Sequence, residues 1–193
     1  PEPAEAPAAE ETGETAPAGE EKPSAADPVA VLREAKNVII IPGYGMALGE
    51  AEGQVRDLFE LLEDQGKEVK FAIHPVAGRM PGHMTVLLAE VDIPYDKMLQ
   101  LQDINPEFPQ TDVALIVGAC DVVNTAAMSA KGTPIYGMPI LQAHEAKHAI
   151  VCNLDLKPGY SGIDNPLYQR QNTILLTGEA AATLEMLIEG LRQ

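Results

Sequence analysis

Apolar residues in this chain recur in two rhythms, and the switches between them mark out alternating strands and helices. Asn37-Val-Ile-Ile-Ile-Pro42 is an unbroken β-branched run of the kind that fills a strand buried on both faces. Ala51–Gln65 then sets Val55, Leu58, Phe59, Leu61 and Leu62 at helical spacing, with Gly66 as the predicted C-cap. Glu68–Ile73 predicts a second strand. The Gly/Pro-rich loop His74–Gly82 leads from it into a second helix at His83–Val91. Further strands are predicted at Thr111–Gly118, His148–Cys152 and Thr173–Leu176, with a short helix at Pro28–Ala35 and a last amphipathic one at Glu179–Arg192. Ile135–Leu141 is apolar but broken by Pro139, which leaves strand and loop both open. Apolar strands alternating with helices predict an α/β fold, a parallel sheet with helices on both faces.

In such sheets ligands bind beyond the carboxyl ends of the strands, where successive crossovers diverge. Those ends are rich in glycine here: Pro42–Gly45, Val76–Gly82, Gly118–Asp121, and Pro158–Gly162 in the long polar loop Asn153–Gln171. Gly43-x-Gly45-x-x-Leu48 lies between a strand and a helix, where glycines let a pyrophosphate approach and helix N–H groups receive it. Its third position is Leu, and the second strand closes on Ile73-His74-Pro75 without the acid that pattern expects. Dinucleotide binding and a merely tight strand–helix turn both fit this spacing.

Charge narrows the choice of partner. The 193 residues carry a net charge of −16, so no basic face of the size nucleic acid needs is available. Residues 1–28 contain no Val, Ile, Leu, Met, Phe or Tyr, and hold eight acids against one base. Such a stretch cannot bury apolar surface to offset its ordering entropy, which predicts a disordered acidic linker, with an arm for a basic partner as the alternative. Residues 29–193 are then the folded domain. No apolar run reaches the roughly 18–20 residues of a spanning helix. Two cysteines make no disulfide framework, and neither stands at metal-ligand spacing, so no metal is expected. The chain begins at Pro1 and not at Met, which predicts a piece of a longer protein.

Within the rim, Arg79 is the cation of its loop, suited to a phosphate contact or to a place on the surface. His74 and His83 flank that loop and could titrate near neutral pH. Asp121 ends the third strand, where it could accept from a ligand, hold a proton, or simply cap the helix predicted near Val122. Cys120 has no local base to make it a nucleophile. Asn153–Gln171 reads as a lid or as a passive surface loop.

Several segments resemble the proton-translocating nicotinamide nucleotide transhydrogenases. They are Ile40-Ile-Pro-Gly-Tyr-Gly-Met-Ala47, Pro75-Val-Ala-Gly-Arg-Met-Pro-Gly-His-Met84, Gly118-Ala-Cys-Asp121 with Asn124, Tyr136-Gly-Met-Pro-Ile-Leu141 and Gly159-Tyr-Ser-Gly-Ile-Asp-Asn-Pro166. The resemblance is to domain III, the NADP(H)-binding part of the β subunit, over about residues 28–193. It implies a Rossmann-like doubly wound sheet carrying NADP(H) in reversed orientation, nicotinamide outward. It implies hydride transfer from NADH on a separate domain I, coupled to proton passage through a membrane domain II. The acidic stretch would then join domains II and III, at the cytoplasmic face of a bacterial inner membrane or the mitochondrial matrix side.

Carried onto this sequence, the resemblance assigns cofactor contacts to Gly43, Tyr44, Gly45, Met46 and Ala47, and to Val76, Ala77, Gly78, Arg79, Met80 and Pro81. It adds Gly118, Ala119, Cys120, Asp121 and Val122, with Asp121 linked to the proton-coupled step; beyond the resemblance, we expect His74 and Arg79 to act with Asp121 in sensing the proton state. Gly137, Met138, Glu179 and Ala180 match further contact positions. The lid would contribute Asn153, Leu154, Asp155, Lys157, Pro158, Gly159, Tyr160, Ser161, Gly162, Asp164 and Asn165. The sequence departs from the family where members carry Lys-Arg-Ser to hold the 2′-phosphate of NADP; here Asn153-Leu154-Asp155 stands. An acid there favours a ribose 2′-OH, unless Lys157 or Arg170 compensates. Cys120 replaces an Asn, Thr125 a Pro and Glu179 an Asp. The alternatives from other classes are a nucleotide-sensing module with no redox partner and an assembly domain whose rim is vestigial.

Overall fold

The computed structural model describes residue 24 and residues 26–193. Most of the acidic stretch 1–28, and with it the linker reading, lies outside the described residues. Six strands form one sheet: β1 (Asn37–Pro42), β2 (Glu68–Ile73), β3 (Met98–Gln100), β4 (Val113–Val117), β5 (His148–Asn153) and β6 (Thr173–Thr177). Every pairing is parallel, and the order across the sheet is β3-β2-β1-β4-β5-β6. This is the doubly wound order of Rossmann-like folds.

The helices are α1 (Pro28–Glu34), α2 (Tyr44–Leu48), α3 (Glu52–Asp64), α4 (His83–Glu90), α5 (Leu101–Ile104), α6 (Ala126–Ser129) and α7 (Ala180–Arg192). Asp27 caps α1 by accepting from the Val29 amide, with Pro28 in the first helical position, where a missing N–H costs nothing. The apolar face of α3 buries Val55, Leu58, Phe59 and Leu62; the Phe59 ring lies 5.5 Å from that of Phe71 on β2. Helix α7 packs beside α3, and α1 sits on α7 so closely that a Cβ on Gly190 would come within 2.6 Å of Val29. Every residue of β4 is buried, as is all of β1 after Asn37, as the unbroken apolar runs require of a sheet covered on both faces.

Each strand predicted between Asn37 and Leu176 is present within two residues. The exceptions lie where proline hides the pattern. β3 is a three-residue edge strand inside a segment with Pro94, Pro106 and Pro109, preceded by a 3-10 turn and followed directly by α5. Ile135–Leu141 forms turns and no strand; its backbone bonds Ala127 and Val122 instead of a sheet neighbour.

The sheet places the site by its connectivity. From β1 the chain crosses to β2 on one side, and after β3 it returns to β4 on the other. The carboxyl ends of β1 and β4 therefore border a crevice from which the loops diverge.

Candidate functional site

Two loops meet at the crevice more closely than side chains would permit. The Gly43 amide donates to Val117 O at 2.9 Å and the Gly45 amide to Gly118 O at 2.8 Å. A Cβ on Gly43 would overlap Ala119 Cα at 2.6 Å, and one on Gly45 would stand 2.7 Å from Gly118 Cα. Gly118 has φ +69°, and a Cβ there would overlap the Met46 amide nitrogen and Gly45 Cα. These glycines are thus required by contact between the β1 and β4 loops themselves, and they floor the crevice with bare backbone. The helix predicted at Ala51–Gln65 is present as α3, and a short helix, α2, stands between it and the glycine turn. α2 has five residues and Gly49–Ala51 separates it from α3, so little helix dipole stands behind the crevice. Met46 points into the core, while Tyr44 and Ala47 stay partly open.

The loop after β2 folds back onto α2. Arg79 Nη1 donates to the Tyr44 hydroxyl at 2.9 Å, and its guanidinium carbon lies 5.1 Å from the Tyr44 ring centroid. The Arg79 amide donates to His83 Nδ1 at 2.9 Å. Arg79 remains exposed, with Val76 and Met80 beside it, whereas Ala77 is buried. The placement joins both expectations for Arg79: it is on the surface and it borders the crevice.

His74 is buried, and both ring nitrogens are engaged. Nδ1 accepts from the Val76 amide at 3.1 Å, which assigns the proton to Nε2 for donation to Pro139 O at 2.6 Å. Burial pushes its pKa below the ordinary histidine value, with the Pro139 carbonyl opposing. His144 shifts the same way, from burial and the Arg170 charge. Unfolding at mildly acid pH therefore takes up protons, so stability is full above the unfolded value of about 6.5 and falls as pH drops through it toward the folded one. We expect the urea midpoint to fall between pH 7.5 and 5.5, and His74→Gln to reduce that fall. His74 thus latches β2 to the 135–141 segment, and it brings Gly137 and Met138 to the same end of the sheet.

Across the crevice, the β4 loop holds the long loop that follows β5. Asp121 does not cap a helix: its carboxylate accepts from the Ser161 amide and the Ser161 hydroxyl, both at 2.8 Å, and Gly159 lies against it. Asn124, fully buried, donates to Ile163 O at 3.0 Å, and Asn165 donates to Cys120 O at 3.2 Å. Asn153 turns inward, donating to Ala119 O at 2.9 Å and to the Tyr168 hydroxyl at 3.1 Å. Leu154, Asp155, Lys157 and Tyr160 are exposed. Glu179 and Ala180 open α7 at the same edge. Burial holds the Cys120 and Cys152 thiols up, Cys152 to about 12, so neither is a ready thiolate.

The structure therefore brings the expected rim together around one crevice, but Met46, Ala77, Val122, Asn153 and Asn165 are buried within its walls. Sequence reasoning gave no anchoring role to Asn124, Tyr168 or His83, whose partners are distant or lie across a loop. Arg170 is not at the crevice: it precedes β6 at the amino-terminal edge, near His144. Two clefts also open at that opposite edge, one of about 350 Å³ between Asn37, Glu68, Lys70 and Glu107. The other holds about 160 Å³ beside Glu34, Asp112 and Lys147. Each sets two carboxylates against one lysine, and amino ends of parallel strands face helix C-termini, which disfavours an anionic ligand.

A family model described as NAD(P) transhydrogenase beta subunit matches residues 3–190. The chain belongs to that family. It is 45% identical over 168 residues to the NAD(P) transhydrogenase subunit beta of Rhodospirillum rubrum, covering 87% of this chain and 36% of the relative. The chain thus spans about a third of that transhydrogenase subunit's length. Among solved structures, a proposed thiamin diphosphate-dependent enzyme from Mycobacterium smegmatis aligns with TM-score 0.50 and 14% identity. That alignment covers 84% of this chain and 26% of the other, and it reports the sheet architecture alone. Among the described residues of this transhydrogenase-family chain, no helix is long and apolar enough to cross a membrane.

Proposed function

We propose that this chain holds a nicotinamide nucleotide across the carboxyl edge of its sheet and exchanges a hydride with a second nucleotide on a partner domain. The family resemblance supplies the identities: NADP(H) on this chain, NADH on domain I, and proton passage through membrane domain II. The observation that carries the reading is the crevice itself, a glycine backbone floor between β1 and β4 with a loop from β5 tied across it by Asp121, Asn124 and Asn165.

The residues present fit such a ligand. The floor carries no side chain larger than the Ala119 methyl between the strand ends, and Arg79 offers an exposed guanidinium to a pyrophosphate. When bound, the nicotinamide supplies the redox chemistry: a hydride leaves C4 of the reduced ring and is taken by C4 of the oxidised one. The chain need only bind, orient and exclude water. Asp121 gives a route for coupling. Its carboxylate accepts two bonds from Ser161, so whatever the β4 loop senses is passed directly to the docking of the lid. The exposed apolar side chains Leu48, Val76, Met80 and Tyr160 around the crevice suit a partner's face. The experiment that tests the reading is passage of deuterium from C4-labelled NADH on the partner domain to the nucleotide held here.

A further inference from the structure

The two ends of the crevice carry opposite charge. Toward β2, Arg79 projects with Tyr44, and the loop His74–Gly82 contains no acid. Toward β5 and β6, the loops 118–125, 153–166 and 177–180 hold Asp121, Asp155, Asp164 and Glu179 against one cation, Lys157. Arg170 lies at the far edge of the sheet and cannot add to it.

The chain's own loops indicate how a dinucleotide would lie. The β2 end is open, with Val76, Arg79 and Met80 exposed, while the β5 end is crossed by the loop latched through Ser161. A nicotinamide that reacts with a partner's nucleotide must sit at the open end, so the adenosine half falls under the loop. That half meets the end of β5, where Asn153 is committed inward and Asp155 is the next ionisable side chain. Asp155 is shaped for accepting: its Oδ1 takes the Lys157 amide at 3.0 Å, leaving the other oxygen to the surface.

We propose that Asp155 makes this crevice select a dinucleotide whose adenosine ribose carries a free 2′-hydroxyl, NAD(H), over one bearing a 2′-phosphate. The inference rests on the reading that a nicotinamide nucleotide occupies this edge, and it changes one particular of that reading. A carboxylate accepts a hydrogen bond from a ribose hydroxyl, whereas a phosphate in its place brings two negative charges against it. A lone exposed lysine is a weak counterweight, because solvent screens it and its ammonium cannot fork onto phosphate oxygens.

The test is calorimetric titration of the whole chain with NADH and with NADPH at one fixed ionic strength. NADH should bind tighter by about ten-fold or more, the scale of one hydrogen bond to a charged group. Asp155→Ser should shrink that ratio by weakening NADH and strengthening NADPH, and adding Leu154→Arg should reverse it. Arg79→Gln should weaken both nucleotides by a similar factor. Tighter binding of NADPH by the unaltered chain would overturn the inference while leaving the nucleotide site standing. So would an Arg79→Gln effect confined to NADPH, since the 2′-phosphate would then lie at the β2 end. Failure of both nucleotides to bind would defeat the functional reading itself, and this inference with it.

Discussion

Gly118→Ala is expected to remove a large share of the protein's stability, although it adds a single methyl group. Two costs combine at this position. With φ at +69°, an L-residue there carries about 1–2 kcal/mol of backbone strain. The new Cβ would also overlap the Met46 nitrogen and Gly45, which are backbone atoms of a turn and cannot rotate aside. Overpacking of this kind costs about 1–3 kcal/mol more. Against a typical domain stability of about 5–15 kcal/mol, the sum is severe. Gly82→Ala is the control, since Gly82 also has positive φ but nothing lies within 4 Å of its Cβ. Urea unfolding should show the Gly118 variant losing clearly more than the Gly82 variant. Equal losses would mean that the β1 and β4 loops are not in the contact described.

The second large effect is on the lid. Asp121→Ala deletes both bonds to Ser161, and hydrogen bonds to a charged group contribute about 1.5–3 kcal/mol each. We expect the Ser161 amide to exchange its hydrogen at least about ten-fold faster, and bound nucleotide to leave faster by a similar factor. Global stability should change little by comparison, because Asn124 and Asn165 still anchor the loop's far end. Asp121→Asn separates charge from shape: its one amide oxygen can keep one of the two bonds from Ser161, so exchange at Ser161 should fall between that of the unaltered chain and that of the alanine variant. Unchanged exchange at Ser161 in the alanine variant would show that the latch does not govern the loop.

How far the sequence disclosed this molecule depends on where the decisive contacts lie. Strands β1, β4 and β5 were legible because a strand covered on both faces must be apolar almost without interruption, whereas β2 carries Lys70 within it and shows an unbroken run only over Phe71–Ile73. β3 was not, because two half-buried residues and an exposed one between prolines carry no period. The rim was legible through glycine: the residues at the ends of β1, β2, β4 and β5 do converge. The purpose of those glycines was not, since Gly43, Gly45 and Gly118 are fixed by one another and no spacing reveals a contact across 70 residues. Asp121 shows the same limit. Beside Val122 it reads equally as a cap or a ligand group, yet its partner is Ser161, 40 residues on. Arg170 could be imagined at the phosphate end until the turn before β6 placed it at the other edge. The resemblance over residues 28–193, by contrast, rested on runs such as Val76-Ala-Gly-Arg-Met-Pro-Gly-His83, and the family match bears it out.

The most direct test follows one atom. NADH deuterated at C4 is loaded on the partner domain, mixed with this chain carrying the oxidised nucleotide, and the products are weighed by mass spectrometry. Direct exchange across an interface predicts deuterium in the nucleotide released from this chain, at full isotopic content and with none in the water. Unlabelled product, or label lost to solvent, would contradict the account, since no hydride would then pass between two rings held in apposition.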